Sequence, residues 1–553
     1  MSTGQQRAAA VRLTWPLLAS LALAACGPST ANGQPTHARR GGVASIALDA
    51  DPVSLNPLVA GDVSSVRAYA PLFPNLYQVD AHQVVTPDLA AALPGVSSDG
   101  LQWTVRLRTG ARWSDTKPID ANDVVYTVQT EANPELDTHA VFDWQNLASV
   151  ARVDDTMVRF ILKQPDAGFL ADQLVMPVVP RHVLAPIDVK KMSQGIYGST
   201  PTVTGGPFLF TRRAEGVGID LRANPGYYGG RPSLDRLLEV IVRDPLTAAD
   251  ALDNAQLSWD QGLTTAAADR VRGTVGVRLA TYPDLGYHDL RFNTRPGRAF
   301  ADLASRQAVA YAIDRAGLVA AVTSGRGIPL WGDISPSSWA YNGSATIRYR
   351  QDLARSSSLL RSAGWSAAGA DVLARGSARF SLPLYYAVDD SRVADAARRL
   401  STALRKVGIE ATPTEMSRFG LQDRLAKGDF DIALASSGLG LDPDEYEVLH
   451  DPARGDPLPS GYNGTGYADP ALEALLLKER GLHLESDAAT RAARKAVFDD
   501  IQRNLGTNLP VIHLWADTRY QGFNTTLGGI DGAGNEADQD RNSRLYAGLF
   551  LRS

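Results

Sequence analysis

Between residues 97 and 125 the alternation of apolar and polar side chains is regular enough to read directly. Leu101, Trp103, Val105 and Leu107 alternate with Gln102, Thr104, Arg106 and Arg108, the period of two expected of a half-buried strand entered through the turn pair Asp99-Gly100. A second turn at Thr109-Gly110 leads to Trp113, and Ala121-Asn122-Asp123 predicts the start of a helix. Upstream, Val43, Ile46 and Leu48 predict a strand closed by the turn Asp51-Pro52. Farther along the period lengthens. Residues 302–325 place Leu303, Val309, Ala312 and Ile313 on one helical side, with Asp314 as the cap of a second short helix that Gly325 stops. In 391–408, Val393, Ala397, Leu400, Leu404 and Val407 keep helical spacing up to Gly408. Its neighbours "SLPLYYAV" and "FDIALAS" read as strands, so this half alternates strand and helix and predicts an α/β domain.

The start of the chain is different. Arg7 and Arg12 precede the apolar run Leu13 to Ala25, too short for a membrane helix of about 20 residues and arranged as an export signal. Its last residues, Leu23-Ala24-Ala25-Cys26, resemble the lipobox of bacterial lipoproteins, which implies cleavage after residue 25 and a diacylglycerol on Cys26. An ordinary secretory signal with an incidental cysteine is the other reading. Cys26 is the only cysteine of 553 residues, so a lipidated mature chain has no thiol for a disulfide or a thiolate metal site. Residues 26–40 then form the modified cysteine and a small, polar, Pro/Gly-containing tether, and roughly 520 mature residues suffice for two or three domain cores. Loss of the leader takes the formal charge from -5 to about -7 with no long basic run, which argues against nucleic acid as a partner.

Catalytic signatures are missing as well. There is no G-x-S-x-G elbow, no phosphate loop ending in G-K-S/T and no H-E-x-x-H pair. The eight histidines are scattered, and His450 lacks a sequence neighbour that would complete a metal site, so it reads as a solvated or core histidine. No enzyme activity, cofactor or metal is expected. A lipid-anchored sensor or structural lipoprotein is an alternative of another class.

Positions Asp99, Gly100, Trp103, Arg108, Gly110, Trp113, Asp115 and Pro118 are similar to the signature of the family 5 extracytoplasmic solute-binding proteins of ABC transporters. Further matches in family order are "TGGPFLF", "NPGYYGGRPSLDRL", "FNTRPGRAFADLASRQAVAYAIDR", "RSAGW", "GYADPALEALL" and "NLPVIHLW". The resemblance implies an α/β, two-lobed periplasmic-binding-protein fold (type II, cluster C like) that closes around a solute, with an extra subdomain inserted in the first lobe. Mapped on this chain, the first lobe takes 41–75, 200–287 and 506–553, the insert 76–199 and the second lobe 293–500, with hinges at Tyr287–Asn293 and Asn504–Pro510. It also implies a monomer serving an ABC permease and ATPase, with a peptide as the solute and a sugar or other small metabolite as the alternative.

Five residues are candidates for solute contact. Asp442 matches the acid of the family's D-P cleft loop, while the acid that oligopeptide binders carry three residues earlier falls on Leu439. The same Asp442, with Pro443 and Glu445, also fits a helix capping box. Arg392 is the nearest equivalent of the arginine that clamps a ligand carboxylate, or an exposed residue at a helix start. Tyr446 and Trp259 are aromatic candidates that a core would also use, and Asn56 in "SLNPL" is either a cleft residue or a turn former.

Overall fold

The computed structural model describes residues 38–552 except 81, 137–143, 368–370, 389, 439, 451–462, 484–487 and 531–542. The expected leader, Cys26, most of the tether and Leu439 lie outside the described residues.

The strand expected at Val43, Ile46 and Leu48 forms as Val43–Leu48 and occupies the middle of a seven-stranded sheet. In spatial order the strands are Val277–Pro283, Thr518–Asn524, Trp259–Asp260, Val43–Leu48, Arg236–Ile241, Gly218–Ala223 and Phe208–Ala214. The central three run parallel, and the outer strands pair antiparallel.

The second sheet has six strands in the order Ile328–Pro329, Val511–Ala516, Tyr287–Phe292, Ile432–Ser437, Ser381–Ala387 and Glu410–Met416. Ser381–Ala387 and Glu410–Met416 are parallel neighbours joined by the helix Ser391–Arg405, a strand-helix-strand unit. That helix buries Val393, Ala397, Leu400 and Leu404 against the sheet, starts from the side chain of Asp390, and is followed by Gly408 at φ +85°. Asp314 caps the helix Arg315–Val322 through the N–H of Gly317.

The regular alternation at 101–107 produces Gln102–Arg106 in a separate antiparallel sheet with Gly95–Val96, Met157–Leu162 and Leu147–Asp154. Trp103 and Val105 face inward and are almost completely buried, each worth about 1.5–3 kcal/mol relative to exposure. The helix Ala121–Glu131 begins at the expected residue with a capping box between Asp120 and Asp123, and Asp123 also accepts the indole N–H of Trp113 at 3.1 Å. This inserted subdomain shares one apolar core with the first sheet, whereas the second sheet has its own.

The chain passes between the two sheets at 284–286 and again at Asp517. Both crossings therefore lie a few residues from the expected hinges. Tyr287–Phe292 is bonded on both edges, to Ile432–Ser437 and Val511–Ala516, and Asn504 lies within the helix Ala488–Asn508. Val511–Ala516, expected in the first lobe, belongs to the second sheet. The crossings touch: Asp284 N–H donates to the carbonyl of Asp517 at 2.7 Å, and Arg519 Nε donates to Asp284 at 2.7 Å.

Candidate functional site

The strand Ile432–Ser437 leads into a segment where Ser436, Gly438 and Gly440 are exposed and Leu441, Asp442 and Pro443 are buried. Leu441 packs into the core shared by the first lobe and the insert. Facing this segment is 165–172 of the insert, which ends in the short helix Phe169–Asp172. Two glycines face across the approach: a Cβ on Gly440 would lie 2.8 Å from Asp172 Oδ1, and one on Gly168 would lie 3.4 Å from Asp442 Cγ.

Asp442 is fully buried and paired with Arg494, whose Nη1 and Nη2 donate to its two oxygens at 2.7 and 2.8 Å. Arg494 Nε donates to Glu479 Oε1 at 2.8 Å. One oxygen of Asp442 also accepts the N–H of Asp444 at 3.1 Å. The expected capping box is corrected here: the helix is Tyr446–Leu449 with Glu445 at its cap position, because the Asp442 carboxylate is taken by Arg494 and the 444 amide. Arg480 reaches across to the insert, pairing with Asp166 at 2.9 Å and the carbonyl of Pro165 at 3.1 Å, while also facing Asp444 at 3.3 Å.

This crowding changes the acids. Burial, with the charges of Asp442, Asp166 and Asp444, raises Asp172 well above the ordinary carboxylate range. Burial also pushes Asp444 up to about 6, Arg480 opposing and Asp166 and Asp442 adding to the rise. Asp172 is nonetheless reached by solvent.

Arg392, at the start of its helix, donates from Nη1 and Nη2 to the oxygens of Asp517 at 2.8 and 3.0 Å and from Nη2 and Nε to Asp390 at 2.7 and 3.2 Å, with 42% of its side chain exposed. Asp517 also accepts from Trp515 Nε1 at 3.1 Å and meets His288 at 3.3 Å. Burial would raise Asp517, but the His288 contact and the charges of His288 and Arg392 outweigh it and hold the carboxyl well below its usual range. The guanidinium fork is thus occupied by two carboxylates of the chain itself.

The remaining candidates lie deeper. Tyr446 is buried in a core cluster of the second lobe, with Arg480 4.3 Å above its ring and His450 stacked at 4.6 Å. His450 is itself buried and meets Glu473 at 2.8 Å. Trp259 is inside the first lobe, its Nε1–H donating to Gln521 at 3.0 Å and its ring stacked on Phe523. Asn56 is buried in a turn where its side-chain oxygen accepts the N–H of Leu58 at 3.2 Å. Asp442 and Tyr446 therefore share one segment, Arg392 stands by the crossing at Asp517, and Trp259 and Asn56 sit in the other lobe. Among the described residues no group of His, Cys, Asp and Glu has the geometry to hold a metal ion.

Asp172, Glu479, Arg480, Arg494 and Asp517 had no signal in the sequence, since each acquires its role from a partner in another segment.

Comparison with known proteins agrees with this architecture. Residues 84–453 match the family described as bacterial extracellular solute-binding proteins, family 5 middle. Protein XP55 of Streptomyces lividans is 31% identical over 513 residues, covering 90% of this chain and 89% of that protein. The oligopeptide-binding protein AppA of Bacillus subtilis is 23% identical over 540 residues, covering 95% and 96%. The structure of AppA in complex with a nonapeptide superposes with a TM-score of 0.70 at 22% identity, over 94% of this chain and all of that one. The di/tripeptide-binding protein 4 of Pseudomonas aeruginosa is 28% identical over 446 residues, covering 73% and 78%. With its two lobes, its insert and a family match over most of its length, the chain belongs to the family 5 bacterial extracellular solute-binding proteins.

Proposed function

We propose that the protein captures a peptide between its two lobes and delivers it to the permease of an ABC importer, while a lipid on Cys26 holds it at the outer face of the membrane. The observation that carries this reading is the meeting of 165–172 with 436–444 across the lobes, a polar seam with Asp172, Ser436, Gly438 and Gly440 exposed, which hinge motion would open and close. The peptide class draws support from AppA and the di/tripeptide-binding protein, whose names state such ligands. A second reading, a sugar or other small metabolite, draws support from the internal ion pairs of Arg392 and Asp442, which leave neither group free for a peptide terminus.

The test is native mass spectrometry of residues 27–553 followed by thermal-shift screening of peptides, sugars and metal ions. A cognate solute at a hundredfold excess over Kd should add about 2.7 kcal/mol of stability. Shifts confined to sugars would reject the peptide class. For the anchor, Cys26→Ala is expected to move the protein from the membrane to the soluble fraction with solute affinity unchanged. Retention of the variant in salt-washed membranes would reject lipidation.

A further inference from the structure

A single imidazole joins three parts of the lobe junction. His288 stands in the strand that follows the crossing at 284–286; its Nε2 lies 3.3 Å from Asp517 Oδ2 at the second crossing, and its Nδ1 lies 2.8 Å from the hydroxyl of Ser436 at the start of the segment 436–444. The ring lies flat on Trp515, centroids 4.2 Å and planes 17° apart. A half-turn of that ring would set carbon atoms against both polar groups, so the geometry decides which nitrogen faces which partner. Asp517 then decides where the hydrogens are. Its Oδ1 accepts from Trp515 Nε1 and Arg392 Nη1, and its Oδ2 accepts from Arg392 Nη2. A carboxylate can only accept, so the ring nitrogen facing Oδ2 carries a hydrogen. In the neutral imidazole Nδ1 is then a bare lone pair, and the hydrogen between it and Ser436 comes from the serine. His288 is buried, whereas Ser436 is exposed near the carboxyl end of its strand. That strand runs parallel to Ser381–Ala387, and the carboxyl ends of such strands are the edge at which open α/β sheets take ligands.

We propose that Ser436 determines specificity by presenting lone pairs alone, accepting a hydrogen from a donor group of the solute, an N–H in a peptide, because His288, held by Asp517, takes the serine's own hydrogen. His288 is the positioning residue. Protonation of its ring reverses the polarity: Nδ1–H donates to Ser436 Oγ, the hydroxyl hydrogen turns outward, and the acceptor becomes a donor. The charged groups facing the imidazole are Asp517 at the crossing and Arg392 and Asp390 at the start of the helix Ser391–Arg405. The proposal rests on the solute lying between the lobes, as inferred above, and its test separates the two.

Titration calorimetry on residues 27–553 would measure tri-alanine binding at about pH 7 and about pH 5, a range over which the peptide's carboxylate and ammonium keep their charges while an imidazole gains a proton. The wild type should bind about fivefold more weakly at the lower pH. Ser436→Ala should bind about fivefold more weakly than the wild type at the upper pH and lose that response to acid. A response caused by Asp444, whose carboxyl is pushed up to about 6, is the same in both proteins and cancels in the comparison. The same response in both proteins, zero included, or equal affinities at the upper pH would overturn the proposal and leave the peptide reading intact. A second measurement leaves the serine in place. With isotope-labelled histidine, the His288 ring, assigned by the loss of its signal in His288→Gln, should carry its hydrogen on Nε2 at about pH 7, and the Nδ1-protonated tautomer would overturn the proposal whatever the solute. If tri-alanine does not bind, the peptide reading falls and maltose, whose hydroxyls donate, takes its place: weaker binding to Ser436→Ala upholds the accepting hydroxyl, and equal binding or none overturns it.

Discussion

At the scale of single residues the seam between 165–172 and 436–444 is dominated by charges that have left water. Arg494 and Asp442 are both wholly inaccessible, so neither is useful without the other. Replacing Arg494 by Met keeps the volume and strands two acids, Asp442 and Glu479; the expected cost is about 3–5 kcal/mol in urea unfolding. A loss below about 1 kcal/mol would mean that water reaches these groups. Asp444 gives a pH signature. Its folded carboxyl keeps a proton up to about 6, whereas the unfolded carboxyl releases it near 3.8. Between those values the folded form binds the additional proton, so this group's contribution to stability declines as pH rises and is fully lost above the upper value. Unfolding measured at about pH 4 and about pH 7 should reveal that decline in the wild type and not in Asp444→Asn. Parallel pH dependence in the two proteins would refute the assignment. Little of this could be read in the sequence. Asp442 was legible because it sits in a recognisable turn after a strand, but its partner is 52 positions away, and the acid opposite belongs to another subdomain.

Elements were more legible, for a reason visible in two of them. Gln102–Arg106 exposes one face, so its burial alternates and the sequence carries the period. Ser391–Arg405 likewise buries one stripe of a helix. Tyr287–Phe292 and Val511–Ala516 are buried along nearly their whole length, no alternation is required of them, and the expected crossings missed them by a few residues. Gly286 marks where the first crossing lies. A Cβ there would stand 2.7 Å from the carbonyl oxygen of Ser437, a backbone atom that cannot swing aside. Gly286→Ala should cost about 1–3 kcal/mol in thermal or urea unfolding. Full tolerance would show that the backbone at 284–286 is looser than its contacts indicate.

For the whole molecule, the described residues of the insert meet the second lobe at 165–172, at Trp103 beside His483 and at the side chain of Gln83. Gln83 donates to the carbonyl of Ser337 and accepts from the N–H of Trp339, each at 2.9 Å. Under the binding reading these contacts form on closure, so small-angle scattering should give a smaller radius of gyration at saturating solute, and Gln83→Ala should shift the solute-free protein toward the expanded form. An unchanged radius in both experiments would count against hinge closure. The paired crossings at 284–286 and Asp517, bonded to each other, set how such a motion can proceed. A single tether would let two bodies swivel, twist and slide. Two tethers side by side act as the two pins of a door and leave one axis of rotation. If the protein serves a permease as proposed, occupancy would then be expressed as one angle, and the membrane partner would tell a loaded molecule from an empty one by the span between the lobes, without ever touching what is carried.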